Sequence, residues 1–276
     1  MKLKLSPKLV FSPHFGRLDN FVNWLLCSSL IVVVLRRFVP SPLIDISLQS
    51  KTFDGQNYYR DFFSPLPQEF CWEEYLNNFD GQVELENAVV VDLGGHLGYF
   101  SLRGAFLNEK CMFFCVEPSK SNFNNLTKTC QSIPNKNVLL ANYAICRDND
   151  EKSFIDGGSS STGALESANF FLNKARKHKK STVQGITFTK FMEQHDINKI
   201  DILKCDIEGG EYDAFEGCFE HLLSIKYLIF ELHESGDVLP RETALYKFIN
   251  DNFKVVERHP SKYHGNKLIE IFATQK

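Results

Sequence analysis

The stretch Val89-Val90-Val91-Asp92-Leu93-Gly94-Gly95-His96-Leu97-Gly98-Tyr99-Phe100-Ser101 constrains the fold more than any other part of the chain. Three β-branched apolar residues run into an acid and then glycines, after which Leu97, Phe100, Ser101, Gly104 and Leu107 recur at helical spacing. The pattern predicts a buried strand, a tight loop and a helix. In an open α/β sheet such a loop stands at the carboxyl end of its strand, where ligands bind. Glycine there lets a ligand approach the backbone N–H groups, because no Cβ holds it off. The glycine spacing narrows the ligand. A dinucleotide fingerprint needs glycine two residues after Gly94, where His96 stands, and a P-loop needs Gly-Lys-Ser/Thr where the chain has Gly98-Tyr99-Phe100. An acid at the strand end repels a pyrophosphate and suits a cationic, amine-bearing ligand. S-adenosylmethionine is such a ligand.

Two further strands are expected to carry acids to the same sheet end. Cys111 to Val116 reads as a strand ending in Glu117, 25 residues after Asp92, and a carboxylate in that place offers acceptors to the vicinal hydroxyls of a ribose. Ser119 then caps a helix containing Phe123, Leu126 and Cys130, and Asn137 to Ile145 reads as a third strand. Ile200 to Asp206 is an apolar strand that delivers Asp206 and Glu208 to its end, before Gly209-Gly210 turns the chain into a helix holding Tyr212, Phe215 and Cys218. Asp206, Glu208 and Glu211 raise one another's pKa unless a cation or donors compensate. Their candidate roles are to hold the cofactor, orient a substrate hydroxyl, act as general base or bind a divalent metal, against a structural network around the turn. His233 follows the apolar strand Ile225 to Leu232 and is either a general base or a hydrogen-bonded structural residue. Arg241 to Asn250 reads as a helix, and Phe253 to Glu257 with Leu268 to Thr274 as a closing hairpin.

Composition narrows the class. The 276 residues carry 31 Lys and Arg against 34 Asp and Glu, a formal charge of −3, so no basic excess points to nucleic acid. The length allows one sizeable core, to which most of the 25 phenylalanines belong. Eight cysteines show no metal-binding spacing, so no metal site is assigned from them and they read as buried thiols.

Three regions follow from the chain's punctuation. Residues 1–40 hold basic residues around an uncharged run, Phe21 to Leu35. That run is shorter than the ~20 residues that span a bilayer but has the length of a signal h-region, so a membrane anchor and an interfacial helix packed on a soluble cytoplasmic protein both fit. Residues 41–82 read as a cap, with a helix from Gln68 to Phe79, and residues 83–276 as the main domain. Within it the pattern loosens from Asp148 to Ser181. The glycine- and serine-rich stretch Gly157 to Gly163 reads as a loop, and Lys174 to Lys180 as a solvated basic run.

Val91–Ser101, Val116-Glu117-Pro118-Ser119, Asp201–Glu211 and Ile229-Phe230-Glu231-Leu232-His233 resemble the FkbM family of S-adenosylmethionine-dependent methyltransferases, with Lys-x-Asp-x-Glu-Gly-x-Glu the most specific part. The resemblance runs from about residue 85 to the C-terminus, with His96 and Gly210 departing from the usual pattern. It implies a Rossmann-like class I methyltransferase fold, a seven-stranded mostly parallel sheet with helices on both faces and an antiparallel last strand. By position it assigns Asp92, Gly94 and Gly98 to the methionine part of the cofactor, Glu117 to the ribose, and Asp206 to the neighbourhood of the transferred methyl, with Gly95 a further cofactor-binding candidate. The expected activity is O-methylation of a small-molecule, glycan or lipid hydroxyl, with Asp206, Glu208 and His233 as catalytic candidates. A degenerate cofactor-binding domain with an interaction role is the alternative. The glycine spacing opposes a nicotinamide-dependent oxidoreductase.

Overall fold

The computed structural model describes residues 72–79, 83–132, 137–156, 163–168, 179–258 and 267–276. The Phe21–Leu35 run and most of the 41–82 cap lie outside these, as do 157–162 and most of the basic run. Among the described residues no helix is long and apolar enough to cross a membrane.

In chain order the elements are α1 (Trp72–Leu76), β1 (Val89–Leu93), α2 (Tyr99–Leu107), β2 (Met112–Val116), α3 (Lys120–Ser132), β3 (Val138–Ala141), β4 (Ala144–Ile145), β5 (Glu151–Asp156), β6 (Ala164–Leu165), β7 (Lys179–Ile186), α4 (Phe188–Gln194), β8 (Ile202–Cys205), α5 (Glu211–Phe215), β9 (Tyr227–His233), α6 (Ala244–Asn252), β10 (Phe253–Arg258) and β11 (Leu268–Gln275). Seven of the strands form one sheet in the order β10-β11-β9-β8-β1-β2-β3. β1, β2, β3, β8 and β9 are parallel, and β11 runs antiparallel to both β9 and β10. The seven-stranded sheet with its antiparallel last strand is the expected one. β1 and β8 are neighbours in parallel register, so Asp92 and Asp206 reach the same sheet end.

Strands buried on both faces explain why these segments read as apolar runs rather than alternations. On one face Trp72, Tyr75 and Phe79 from α1 and its following turn pack with Val90, Phe100, Phe113, Ile202, Ile229 and Phe272. On the other, Val91, Leu93, Phe114, Leu203 and Phe230 meet Phe188, Phe191, Phe215 and Ile249. Fully burying each such side chain contributes roughly 1.5–3 kcal/mol.

Of the predicted Gln68–Phe79 helix, residues 72–79 are described, and there the helix α1 ends at Leu76, three residues earlier than expected, before a turn to Phe79. Two sequence expectations are corrected. The third strand, read as Asn137 to Ile145, is two strands: β3 pairs with β2, and after Asn142-Tyr143 the chain crosses to β4, which pairs with β7. The Asp148–Ser181 region is not all loop either. β5 pairs antiparallel with β6 and β7, and with β4 these make a second, four-stranded sheet. It was illegible because β5 buries only Phe154 and Ile155 among the residues whose exposure is described, and paired backbone rather than apolar periodicity defines the ladder.

Candidate active site

Strand register builds the site. Asp92 on β1 lies opposite Lys204 on β8, which lies opposite Ile229 on β9. Because side chains alternate across a sheet, Asp92, Lys204 and Glu231 share one face. Glu270 on β11 stands opposite Glu231, and Arg258 on β10 opposite Glu270. A row of charged side chains therefore crosses five strands. Arg258 Nε donates to Glu270 Oε2 at 2.5 Å, which answers the like charges facing each other across β9 and β11.

Lys204 is the centre of this row. Its Nζ stands 3.5 Å from Asp92 Oδ1, 3.6 Å from Asp206 Oδ2 and 5.7 Å from the centroid of the Tyr75 ring. Burial alone lowers an ammonium pKa, but Asp92, Asp206 and Glu231 together hold this one above its ordinary value. Asp92 is 1% exposed. Its Oδ2 accepts from Ser101 Oγ at 2.7 Å, and its Oδ1 makes no hydrogen bond.

The glycines serve close backbone approach rather than donation to a ligand. Gly94 and Gly95 N–H both donate to Val116 O, and Gly98 N–H to Gly95 O, so the expected open N–H cradle is spent inside the loop. Gly94 has φ +81°, and a Cβ there would lie 1.8 Å from the Asp206 carbonyl oxygen. Gly98 ends the loop at φ 90° as the N-cap of α2.

Glu117 stands where the ribose acid was expected, but it is already engaged. His96 N–H donates to Oε2 at 2.8 Å, Ser119 N–H to Oε1 at 2.8 Å and Asn122 Nδ2 to Oε1 at 3.4 Å. Burial pushes its carboxyl up to about 8 against these three donors. A carboxylate has about four lone-pair sites, which leaves Oε2 free to accept once more. Asn142, unnoticed in the sequence, ties the loop after β2 by donating to Glu117 O at 2.7 Å and Pro118 O at 3.0 Å.

The structure brings the catalytic candidates Asp206, Glu208 and His233 together: one ligand-type atom of each lies within 4.8 Å of the others. His233 is buried among acids. Its Nδ1 is 3.1 Å from Glu211 Oε1, and its Nε2 is 3.6 Å from Glu231 Oε1 and 3.7 Å from Glu208 Oε2. Burial works to lower the imidazole pKa, but Glu211 first, then Glu231 and Glu208, carry it up to about 10. At neutral pH His233 is thus an imidazolium, which accords with the structural one of its two sequence readings rather than with the general base. A divalent ion using it as ligand would first have to displace that proton. Burial, then the charge of Asp206, pushes Glu208 up to about 7, with His233 acting the other way; the same two causes push Glu231 well above the carboxylate range. The Glu208 side chain is 31% exposed, which makes it reachable.

Sequence reasoning gave Glu211 only a share in the candidate roles of the three acids, and quoted Lys204 and Glu231 within the family motifs without giving either a role. A lysine inside the apolar run Ile202-Leu203-Lys204-Cys205, two residues before Asp206 and on its face, is the signal that was there to find.

Five carboxylates (Asp92, Asp206, Glu208, Glu211, Glu231) stand here against two cations, Lys204 and His233. The surplus of negative charge and the remaining acceptor position on Glu117 fit a ligand with a ribose, a sulfonium and an ammonium group. The chain is similar to the curated hexuronic acid methyltransferase AglP of Haloferax volcanii, at 23% identity over 152 residues, which cover 55% of this chain and 59% of that protein. Among solved structures it is similar to a fibrillarin/Nop5p complex, at 16% identity over 74% of this chain and 82% of that one, TM-score 0.44. A precorrin-6y C5,15-methyltransferase from Geobacter metallireducens GS-15 matches at 12% identity over 82% and 92%, TM-score 0.42. At these scores the structural likenesses carry no functional weight. The methyltransferase FkbM domain, by contrast, matches residues 92–267. That span begins at the acid of β1, takes in Glu117, the β8 acids and His233, and covers well over half of the chain: the chain belongs to the FkbM methyltransferase family.

Proposed function

We propose that this chain is an S-adenosylmethionine-dependent O-methyltransferase whose acceptor is a hydroxyl of a glycan-related sugar. The observation that carries the reading is the placing of Asp206 and Glu208 at the end of β8, directly beside the β1 glycine loop. When bound, S-adenosylmethionine supplies a methyl group on a positively charged sulfur. The chain's own residues do the rest. Glu117 Oε2 accepts from a ribose hydroxyl, and Asp92, beneath the loop, acts on the ammonium end through its charge. Held there, the cofactor would offer its methyl group to the acceptor hydroxyl, and Glu208 would take up the hydroxyl proton. A carboxyl at about 7 is matched to that task at neutral pH, and orientation supplies the remainder of the rate. The name of the Haloferax relative supports a sugar acceptor, and the half-buried carboxylates of Asp206 and Glu208 suit hydroxyl donors.

Full-length protein incubated with methyl-labelled S-adenosylmethionine and a panel of hexosides, hexuronic acids and glycolipids tests the reading. Label on a sugar oxygen supports it. Cofactor binding without transfer to any panel member favours the interaction role instead. Membrane association through Phe21–Leu35 is a separate proposal that carbonate extraction decides: release of the full-length chain overturns it.

A further inference from the structure

We infer that Lys204 is a positioning residue, whose buried ammonium fixes the carboxylate of the cofactor loop, Asp92, and the carboxylate beside the transferred methyl, Asp206, relative to one another. The inference rests on the reading above for what the two acids do. Lys204 is 4% exposed, yet it makes no hydrogen-bond-length contact with either acid: its Nζ sits almost equidistant, at 3.5 and 3.6 Å. Such a cation acts through its field on both strands at once, and in a buried site that field is screened little by water.

The surroundings keep it central. The Tyr75 ring lies 5.7 Å from Nζ on the α1 side. From β9, Glu231 faces the same charge, while Glu270 on β11 is taken by Arg258. On β1, Ser101 holds Asp92 Oδ2 and leaves Oδ1, the oxygen toward Lys204, without a hydrogen bond. On β8, Asp206 is bound to the loop by backbone, its N–H donating to Leu93 O at 3.1 Å. The two acids therefore belong to one backbone unit, and Lys204 is the ammonium shared between them. Without it, the buried carboxylate of Asp92 and the half-buried one of Asp206 would face each other's charge uncompensated, and one would take up a proton or swing toward water.

Lys204→Met removes the charge and keeps most of the stem. Titration of the full chain with S-adenosylhomocysteine is expected to show at least a tenfold loss of affinity at pH 8. The ratio of wild-type to variant affinity should widen at least fivefold more at pH 5.5, because an acid without its cation protonates more readily. Taking the ratio cancels the titration of Glu117 and His233, while Glu208 and Glu231, which also face Lys204, are separated by a second substitution that leaves both in place. Adding Asp92→Asn should remove the widening. A loss of packing alone gives a ratio constant with pH, and that result overturns the inference. If Lys204→Met does not fold, urea denaturation of Lys204→Met/Asp206→Asn decides: a double variant more stable than the single one supports the inference, and one no more stable overturns it. If wild-type protein binds no S-adenosylhomocysteine, the methyltransferase reading fails, while the denaturation comparison still tests Lys204 without any cofactor.

Discussion

A Cβ on Gly94 would stand 1.8 Å from the carbonyl oxygen of Asp206, so the glycine loop of β1 and the acid-bearing end of β8 touch backbone to backbone. No side chain fits between them, and the cofactor loop cannot shift without moving Asp206.

Gly94→Ala is accordingly expected to destabilise the protein by roughly 2–5 kcal/mol, the sum of a left-handed φ and an overpacked contact. Gly217 has a similar φ, +77°, with nothing within 4 Å of its Cβ position, so Gly217→Ala isolates the backbone cost at about 1–2 kcal/mol. Equal losses for the two variants in urea denaturation would remove the close approach as the reason for Gly94.

Glu117→Ala should weaken S-adenosylhomocysteine roughly two- to tenfold, since a carboxyl held up to about 8 is largely neutral near pH 7 and an uncharged hydrogen bond contributes about 0.5–1.5 kcal/mol. It should also cost stability. His96 and Ser119 N–H lose their acceptor, and each buried orphan donor costs about 1–3 kcal/mol. Calorimetric titration and denaturation of the same variant check both; unchanged affinity would return Glu117 to a purely structural role.

His233 makes a pH-dependent contribution to stability. Its folded pKa, about 10, lies above the ordinary value of 6.5, so the stabilisation is fully present below pH 6.5 and is lost as pH rises through 10. Wild-type stability relative to His233→Gln should fall by an amount on the order of a few kcal/mol across that window. A difference that is flat from pH 6 to pH 10 would show that the imidazole is neutral among Glu208, Glu211 and Glu231.

Glu208→Gln should lower turnover ~10²–10⁴-fold on whichever sugar accepts label, while S-adenosylhomocysteine affinity stays within about threefold of wild type, because the residue faces the acceptor. Retained turnover in steady-state assays would move the proton to Glu231 or to water.

What was legible followed from burial. Val89–Leu93, Met112–Val116 and Ile202–Cys205 are apolar because both faces of the sheet are covered, and the acids that interrupt them, Asp92, Glu117 and Asp206, mark the sheet end that needs charge. What was hidden depends on partners distant in the chain. Asn142 is an ordinary loop residue until β3 turns toward the second sheet, and β5 has too few apolar side chains to advertise itself. Lys204 reads as a surface cation until the register with Asp92 buries it. Open N–H groups were a fair expectation for Gly94 and Gly95, but Val116 O accepts both, which no local pattern reveals. His233 was visible as a titratable residue, whereas its charge is set by Glu211, Glu231 and Glu208, contributed by two other segments and its own strand.

The central claim is that the sheet end formed by β1, β2 and β8 binds S-adenosylmethionine. Isothermal titration of the full-length wild-type chain with S-adenosylhomocysteine at pH 7 tests it most directly. One site per chain is expected, with a Kd between about 1 μM and 1 mM, the range in which enzymes ordinarily hold their substrates. No binding heat at millimolar ligand, from protein shown to be folded, would contradict it.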